Sequence, residues 1–398
     1  MGTLVRRHWM AVVVAAVLAI CMPLTASKLY KRLTRGSIDD AGLTGVSVPL
    51  EKVAPSLDNF LSGRLQKYVD DQLAKSVPLR KPAIRSFNQA WFDLFGSSYM
   101  YSGTIYRGRD GQLYERGYLE SYCLNHFDAA ADRGRIEDWA ARLARLQQWT
   151  RAQGKAFVYL ITPNKAIHLP EYLPPDYRCE GPRRARYAMM IEALQRERID
   201  YVDGSKTVLG LKSGAAFPLF PRGGTHWTYY PAAVVTNELI AEVGRQLGAS
   251  LRPLEYTYRL AAGRSEYDKS YTDLAGLLNL VRDREYESDA LPVWEFGMQK
   301  GPVGKRLPTV VVGGSFNALL LPLMSDSGVF DPIEFYFYTT LGQQRYSAGV
   351  KTEWEPGEGP RLGAAIAGAE VLILEENEQT LASPHGKLLA DEVLGLAR

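Results

Sequence analysis

The sequence predicts an α/β protein: a mainly parallel sheet with helices on both faces, preceded by an N-terminal transmembrane helix. Three observations point there. Short, wholly apolar runs alternate with longer stretches of helical periodicity. Those runs are apolar at every position rather than at every second one, as expected of strands covered on both faces. An uncharged apolar segment from Trp9 to Ala26 follows a basic start at Arg6-Arg7-His8.

In chain order, the apolar segment comes first. At 1.5 Å per residue a helix over 9–26 covers roughly 27 Å, close to a bilayer's hydrocarbon thickness. The leading positive charges favour keeping the start in the cytoplasm and placing the body outside. Lys28, Lys31, Arg32 and Arg35 on the far side oppose that bias. An uncleaved signal anchor over 1–27 is preferred to a cleaved leader. The run is longer than a usual signal core, and Leu24-Thr25-Ala26 is a poor cleavage site. The expected location is therefore periplasmic, anchored to the inner (cytoplasmic) membrane.

Residues 28–125 read as a membrane-proximal stem and lead-in. Glycines at 36, 42 and 45 mark the stem. Phe60, Leu61, Leu65, Val69 and Leu73 then recur at helical spacing. Residues 99–114 read as a hairpin turning at Arg109-Asp110-Gly111-Gln112. The remaining span, 126–398, carries the alternation. Helices are expected over 136–153, 185–198 and 232–247, with Gly154 and Gly248 as terminators. Strands are expected over 156–162, 199–202, 309–312, 333–338 and 371–374. Ligands of such sheets bind beyond the carboxyl ends of the strands, which singles out the residues just past each strand.

Composition narrows the function. Of 398 residues, 46% are hydrophobic and 23% charged, and the net charge is only +3, so disorder and nucleic-acid binding are both disfavoured. No Cys/His grouping has zinc spacing, and neither metal nor cofactor is indicated. Cys123 and Cys179 are left for the body of the protein; one disulfide and two buried thiols are equally open readings.

The chemistry centres on two segments. Ser315 follows the apolar run PTVVVGG and precedes FNALLLPL. A serine between a strand and a helix faces the unpaired N–H groups of the first helical turn, which stabilise an oxyanion. Capping that helix is the alternative role. His226 stands in Arg222-Gly223-Gly224-Thr225-His226-Trp227, just before a helix. A serine hydroxyl needs such a base near neutral pH. His126 and His168 are alternatives. Trp227, Asn164, Lys165 and Gly314 are candidate substrate contacts, and Glu375-Glu376-Asn377-Glu378 follows the last strand in the same manner.

Taken together, these motifs resemble the alginate O-acetyltransferase (AlgX/AlgJ-like) family, whose catalytic domain is SGNH-hydrolase-like. Gly224-Thr225-His226-Trp227 is similar to its Asp-Thr-His-Trp segment, and Gly313-Gly314-Ser315-Phe316 to its Gly-Asp-Ser-Phe segment. The order is the same, histidine before serine. Ile105–Leu113, Pro163-Asn164-Lys165 with Pro170–Pro174, Asp273-Leu274 and Glu376-Asn377-Glu378 agree as well, over roughly 57–380. Two departures stand out: Gly224 replaces the aspartate that would orient the histidine, and Gly314 replaces the second. The triad aspartate is thus apparently absent. The resemblance implies an O-acetyltransferase that passes acetyl groups to hydroxyls of an exported polysaccharide through Ser315 and His226. It also implies a membrane-bound O-acyltransferase partner as acetyl donor. A polysaccharide acetyl esterase, or a non-catalytic polysaccharide-binding or scaffold subunit, are the alternatives.

Overall fold

The structure is a computed structural model that describes residues 43–44, 52–76, 80–99, 104–124, 127–175, 177–179, 181–263, 265–296, 304–355 and 357–396. The apolar segment 9–26, most of the stem, and His126 lie outside the described residues. Among the described residues no helix is long and apolar enough to cross a membrane. The chain divides into two units: residues 1–100 with 276–283, and residues 101–275 with 284–398.

The first unit contributes helices Leu57–Leu61, Arg64–Ser76 and Arg80–Phe95. Their existence follows from the helical spacing, but the stripe does not form a core: Phe60, Leu61 and Val69 are exposed. Burial centres instead on Asn88 and Phe92, and Asn88 Nδ2 donates to Leu278 O at 3.0 Å.

The second unit begins with the hairpin β1 (Ile105–Arg107) and β2 (Leu113–Glu115), turning at Arg109–Gly111 as expected. Helix Arg116–Cys123 follows, and Cys123 is disulfide-bonded to Cys179. The hairpin and this helix belong with the sheet-bearing unit.

The remaining strands are β3 (Ala156–Thr162), β4 (Tyr201–Asp203), β5 (Tyr258–Ala261), β6 (Leu291–Trp294), β7 (Leu307–Gly313), β8 (Phe330–Phe337), β9 (Gly342–Ser347), β10 (Val350–Trp354) and β11 (Val371–Asn377). Seven of them form one sheet in the order β10-β9-β8-β7-β11-β3-β4. From β8 to β4 every pairing is parallel; β9 and β10 add an antiparallel edge. β5 and β6 form a separate antiparallel ribbon.

Side chains of the central strands point alternately to two apolar layers. Val158, Leu160, Val311 and Ile373 pack with helices Tyr229–Leu247 and Asn317–Asp326. Phe157, Tyr159, Val310 and Leu372 pack with helices Ala129–Ala152, Ala185–Arg196 and Pro384–Leu396. Burial on both faces is why β3, AFVYLIT, is apolar along most of its length. Gly248 ends its helix at φ +60°, a left-handed conformation that glycine adopts without strain.

Candidate active site

Ser315 stands immediately past the carboxyl end of β7, one turn ahead of helix Asn317–Asp326. Its strand is central and rigid, and Ala318 N–H donates to Ser315 O at 3.0 Å, so the backbone begins to coil at the serine. His226 comes from the loop before helix Tyr229–Leu247. The two residues, 89 apart in sequence, meet with His226 Nε2 2.8 Å from Ser315 Oγ. His226 is 8% exposed and packs against Phe316, ring centroids 4.8 Å apart. The imidazole is thus walled in, with its Nε2 edge on the Ser315 hydroxyl.

The acid that the sequence appeared to lack is Asp273, at the start of helix Asp273–Leu278. Its Oδ2 lies 2.8 Å from His226 Nδ1. Nδ1 makes no well-aligned hydrogen bond, so the two groups meet by distance and charge. The other carboxylate oxygen accepts from Thr225 N at 3.0 Å and Leu274 N at 2.9 Å, so the group is fixed by backbone on both sides.

Both glycine departures have a steric reason. A Cβ on residue 224 would fall 2.4 Å from Ser270 O and 2.9 Å from Asp273 Oδ1. A Cβ on residue 314 would fall 2.8 Å from the Tyr338 hydroxyl. The space an aspartate would need at 224 holds the segment that carries Asp273. The space at 314 holds a tyrosine whose hydroxyl hydrogen-bonds both the side chain and the backbone N–H of Ser315. Burial raises the Tyr338 pKa, helped by nearby Glu375, so this phenol stays protonated and able to donate at neutral pH.

Behind the serine, Glu375 Oε2 accepts from Gly314 N at 2.7 Å and Asn317 Nδ2 at 2.9 Å. Burial pushes its pKa up. This carboxyl takes the Gly314 N–H out of contention as an oxyanion donor and holds the serine turn against β11. Glu115 also bears on the site; its pKa is raised by burial first and then by Asp273, with His226 acting the opposite way.

The remaining candidates are buried. Trp227 is 0% exposed and stacks edge-on to Phe316, with centroids 5.8 Å apart. Asn164 is buried; it caps helix Lys165–His168 through Ala166 N and donates to Tyr118 O at 3.0 Å. Lys165 is buried and donates to three backbone carbonyls. All three are buried in the protein interior. Glu376 accepts from Ala382 N and Ser383 N at 2.9 and 2.8 Å. Glu378 pairs with Arg184 at 2.9 Å. Neither stands in a solvated loop. His168 packs on Phe220, ring centroids 5.2 Å apart, and does not meet Ser315. Among the described residues no group of three or more His, Cys, Asp or Glu is arranged to hold a metal.

No curated protein sequence matches the chain. Among solved structures it is similar to the O-acetyltransferase domain of Pseudomonas putida AlgJ, with 19% identity, 73% of this chain and 99% of that one covered, and a TM-score of 0.46. Bacillus cereus PatB1 matches at 10% identity over 64% of this chain and 92% of that one, TM-score 0.41. Pseudomonas aeruginosa AlgX matches at 14% over 74% and 68%, TM-score 0.37. The family model described as "SGNH hydrolase-like domain, acetyltransferase AlgX" matches residues 105–361. That span is well over half of the chain and includes Ser315, His226 and Asp273, and the chain accordingly belongs to the AlgX family of SGNH hydrolase-like acetyltransferase domains.

Proposed function

We propose that this acetyltransferase acts through Ser315 as nucleophile and His226 as base, and that its acceptor is a hydroxyl of an exported, alginate-type polysaccharide. The observation that carries the reading is the chain of contacts Ser315 Oγ–His226 Nε2 and His226 Nδ1–Asp273 Oδ2, both 2.8 Å, at the carboxyl edge of a parallel sheet.

In the first half-reaction His226 Nε2 takes the Ser315 proton as Oγ bonds to the acetyl carbonyl carbon. Negative charge gathers on the carbonyl oxygen, beside the Tyr338 hydroxyl, which donates to it. The bond to the donor's oxygen breaks, and that oxygen leaves with the proton from His226. In the second half a sugar hydroxyl gives its proton to His226 and attacks the acetyl-serine. The Ser315–acetyl bond breaks, and Ser315 recovers the proton. Asp273 keeps the imidazole turned towards the serine and offsets the charge of the imidazolium. The acetyl donor would be a membrane-bound O-acyltransferase. The location would be periplasmic, with the segment Trp9–Ala26 as anchor; the Cys123–Cys179 disulfide supports an oxidising compartment.

The test is acetyl-ester turnover with and without acceptor oligosaccharide. Acceptor-dependent transfer that Ser315→Ala lowers by about 10³-fold or more is expected. Release to water that added sugar does not change would make the protein an esterase. Undiminished polymer acetylation in cells carrying Ser315→Ala would leave it a binding or scaffold subunit.

A further inference from the structure

Lys165 presents an unusual arrangement. It opens the short helix after β3, is 1% exposed, and no carboxylate pairs with it among the ion pairs of the described residues. Its Nζ donates instead to Pro221 O at 2.7 Å, Arg222 O at 3.2 Å and Gly224 O at 2.7 Å. The Tyr114 ring lies beside it, 5.4 Å from Nζ to the centroid. An ammonium has three N–H donors and these are three acceptors. All three carbonyls belong to the loop that runs directly into Thr225-His226.

The loop's other fixings fall elsewhere: the Arg222 guanidinium donates to Asp289 Oδ2, Glu285 O and Ser288 Oγ. Leu113 N–H donates to Arg222 O and Ala275 N–H to Gly223 O, both at 2.9 Å. The carbonyls of Pro221 and Gly224 therefore depend on Lys165. Gly224 O is two residues from the imidazole, and Thr225 N–H in turn grips Asp273.

We infer that Lys165 is a positioning residue for the acyl transfer: its ammonium gathers the Pro221–Gly224 carbonyls and so fixes where His226 stands between Ser315 and Asp273. The inference rests on the acyl-transfer reading above. It has a chemical corollary. Burial pulls the Lys165 pKa down from 10.5 to about 7, against the opposing pull of Asp273 and Asp289. Arg222, which carries one of the three carbonyls, has its guanidinium turned to Asp289 at 2.8 Å and leaves Lys165 as the cation among them. The neutral amine has two N–H donors for three carbonyls, so the cage loosens on the alkaline side.

The experiment uses the full chain and an acetyl ester, with kcat and KM followed across pH and the His226 Nδ1–H and Lys165 Cε resonances read by NMR. Lys165→Met should lower kcat by about 10²-fold, the size expected of a reacting group displaced by ~1 Å, with KM within about threefold. It should also move the His226 Nδ1–H resonance and remove the alkaline fall in kcat expected of the parent near pH 7. Parent-like kcat in a folded Lys165→Met variant overturns the inference; so does a loss of kcat with the His226 resonance unmoved. If that variant does not fold, the parent protein decides. The Lys165 and His226 resonances should titrate together with kcat, and a His226 resonance indifferent to the lysine's titration sinks the idea. Ser315→Ala separates the levels, because retained turnover there defeats the acyl-transfer reading while the coupled titration still reports on Lys165.

Discussion

At the scale of single residues, the site is legible in part. Ser315 and His226 announce themselves by position: each follows or precedes an element whose period is clear, and glycines flank both. Asp273 does not. It is 47 residues from His226 and looks like any carboxylate at a helix start. The likeness at Asp273-Leu274 marks it without a role; its place beside the imidazole comes from the through-space contact and the crowding at Gly224. Lys165, Asn164 and Trp227 lie buried, which their places past a strand or in a loop do not reveal. Asp273→Asn keeps an oxygen for the Thr225 and Leu274 N–H groups but removes the charge facing the imidazole. Steady-state kinetics should then give kcat lower by about 10²–10⁴-fold with little change in KM, and a variant with parent-like kcat would remove Asp273 from the mechanism.

At the scale of elements, strands buried on both faces were the easiest to read. The expected strand over 156–162 coincides with β3, since seven buried positions leave a continuous signal. The strand expected over 371–374 instead runs on to Asn377. Two glutamates hid its end: Glu375 and Glu376 are tolerated inside because backbone N–H and hydroxyl groups satisfy them. The β9–β10 hairpin gave no signal, being half exposed and polar at the sheet's edge. Cysteine pairing was undetermined from spacing, and the disulfide turns out to tie helix Arg116–Cys123 to the segment at Cys179, closing 56 residues of chain. Replacing both cysteines by serine should lower the unfolding free energy by about 2–4 kcal/mol in urea titrations, mostly through the unfolded chain. A change within error would mean that the loop is already held by its other contacts.

At the scale of the whole molecule, stability should carry an acid signature from His168. Burial, with the charges of Arg184 and Lys212, holds its pKa down from 6.5 to about 3, and neither ring nitrogen has a hydrogen-bond partner. The unfolded chain binds this proton more readily than the folded one. The penalty is therefore absent above about pH 6.5 and grows as pH falls towards 3. His168→Phe, which keeps a flat ring against Phe220, should have a denaturation midpoint that gains on the parent's progressively over that window. Parallel curves for the two proteins would show that His168 is not the source. The sheet order has another consequence, for the timing of folding. β11 is the last of the described strands in sequence yet lies between β7 and β3, with the Glu375 that braces the serine turn. A chain emerging N-terminus first has no neighbour to join β7 to β3 until β11 arrives, so the central contacts are of long sequence separation and form late. The Ser315 turn, made with β7, would thus stand unbraced until β11 inserts beside it.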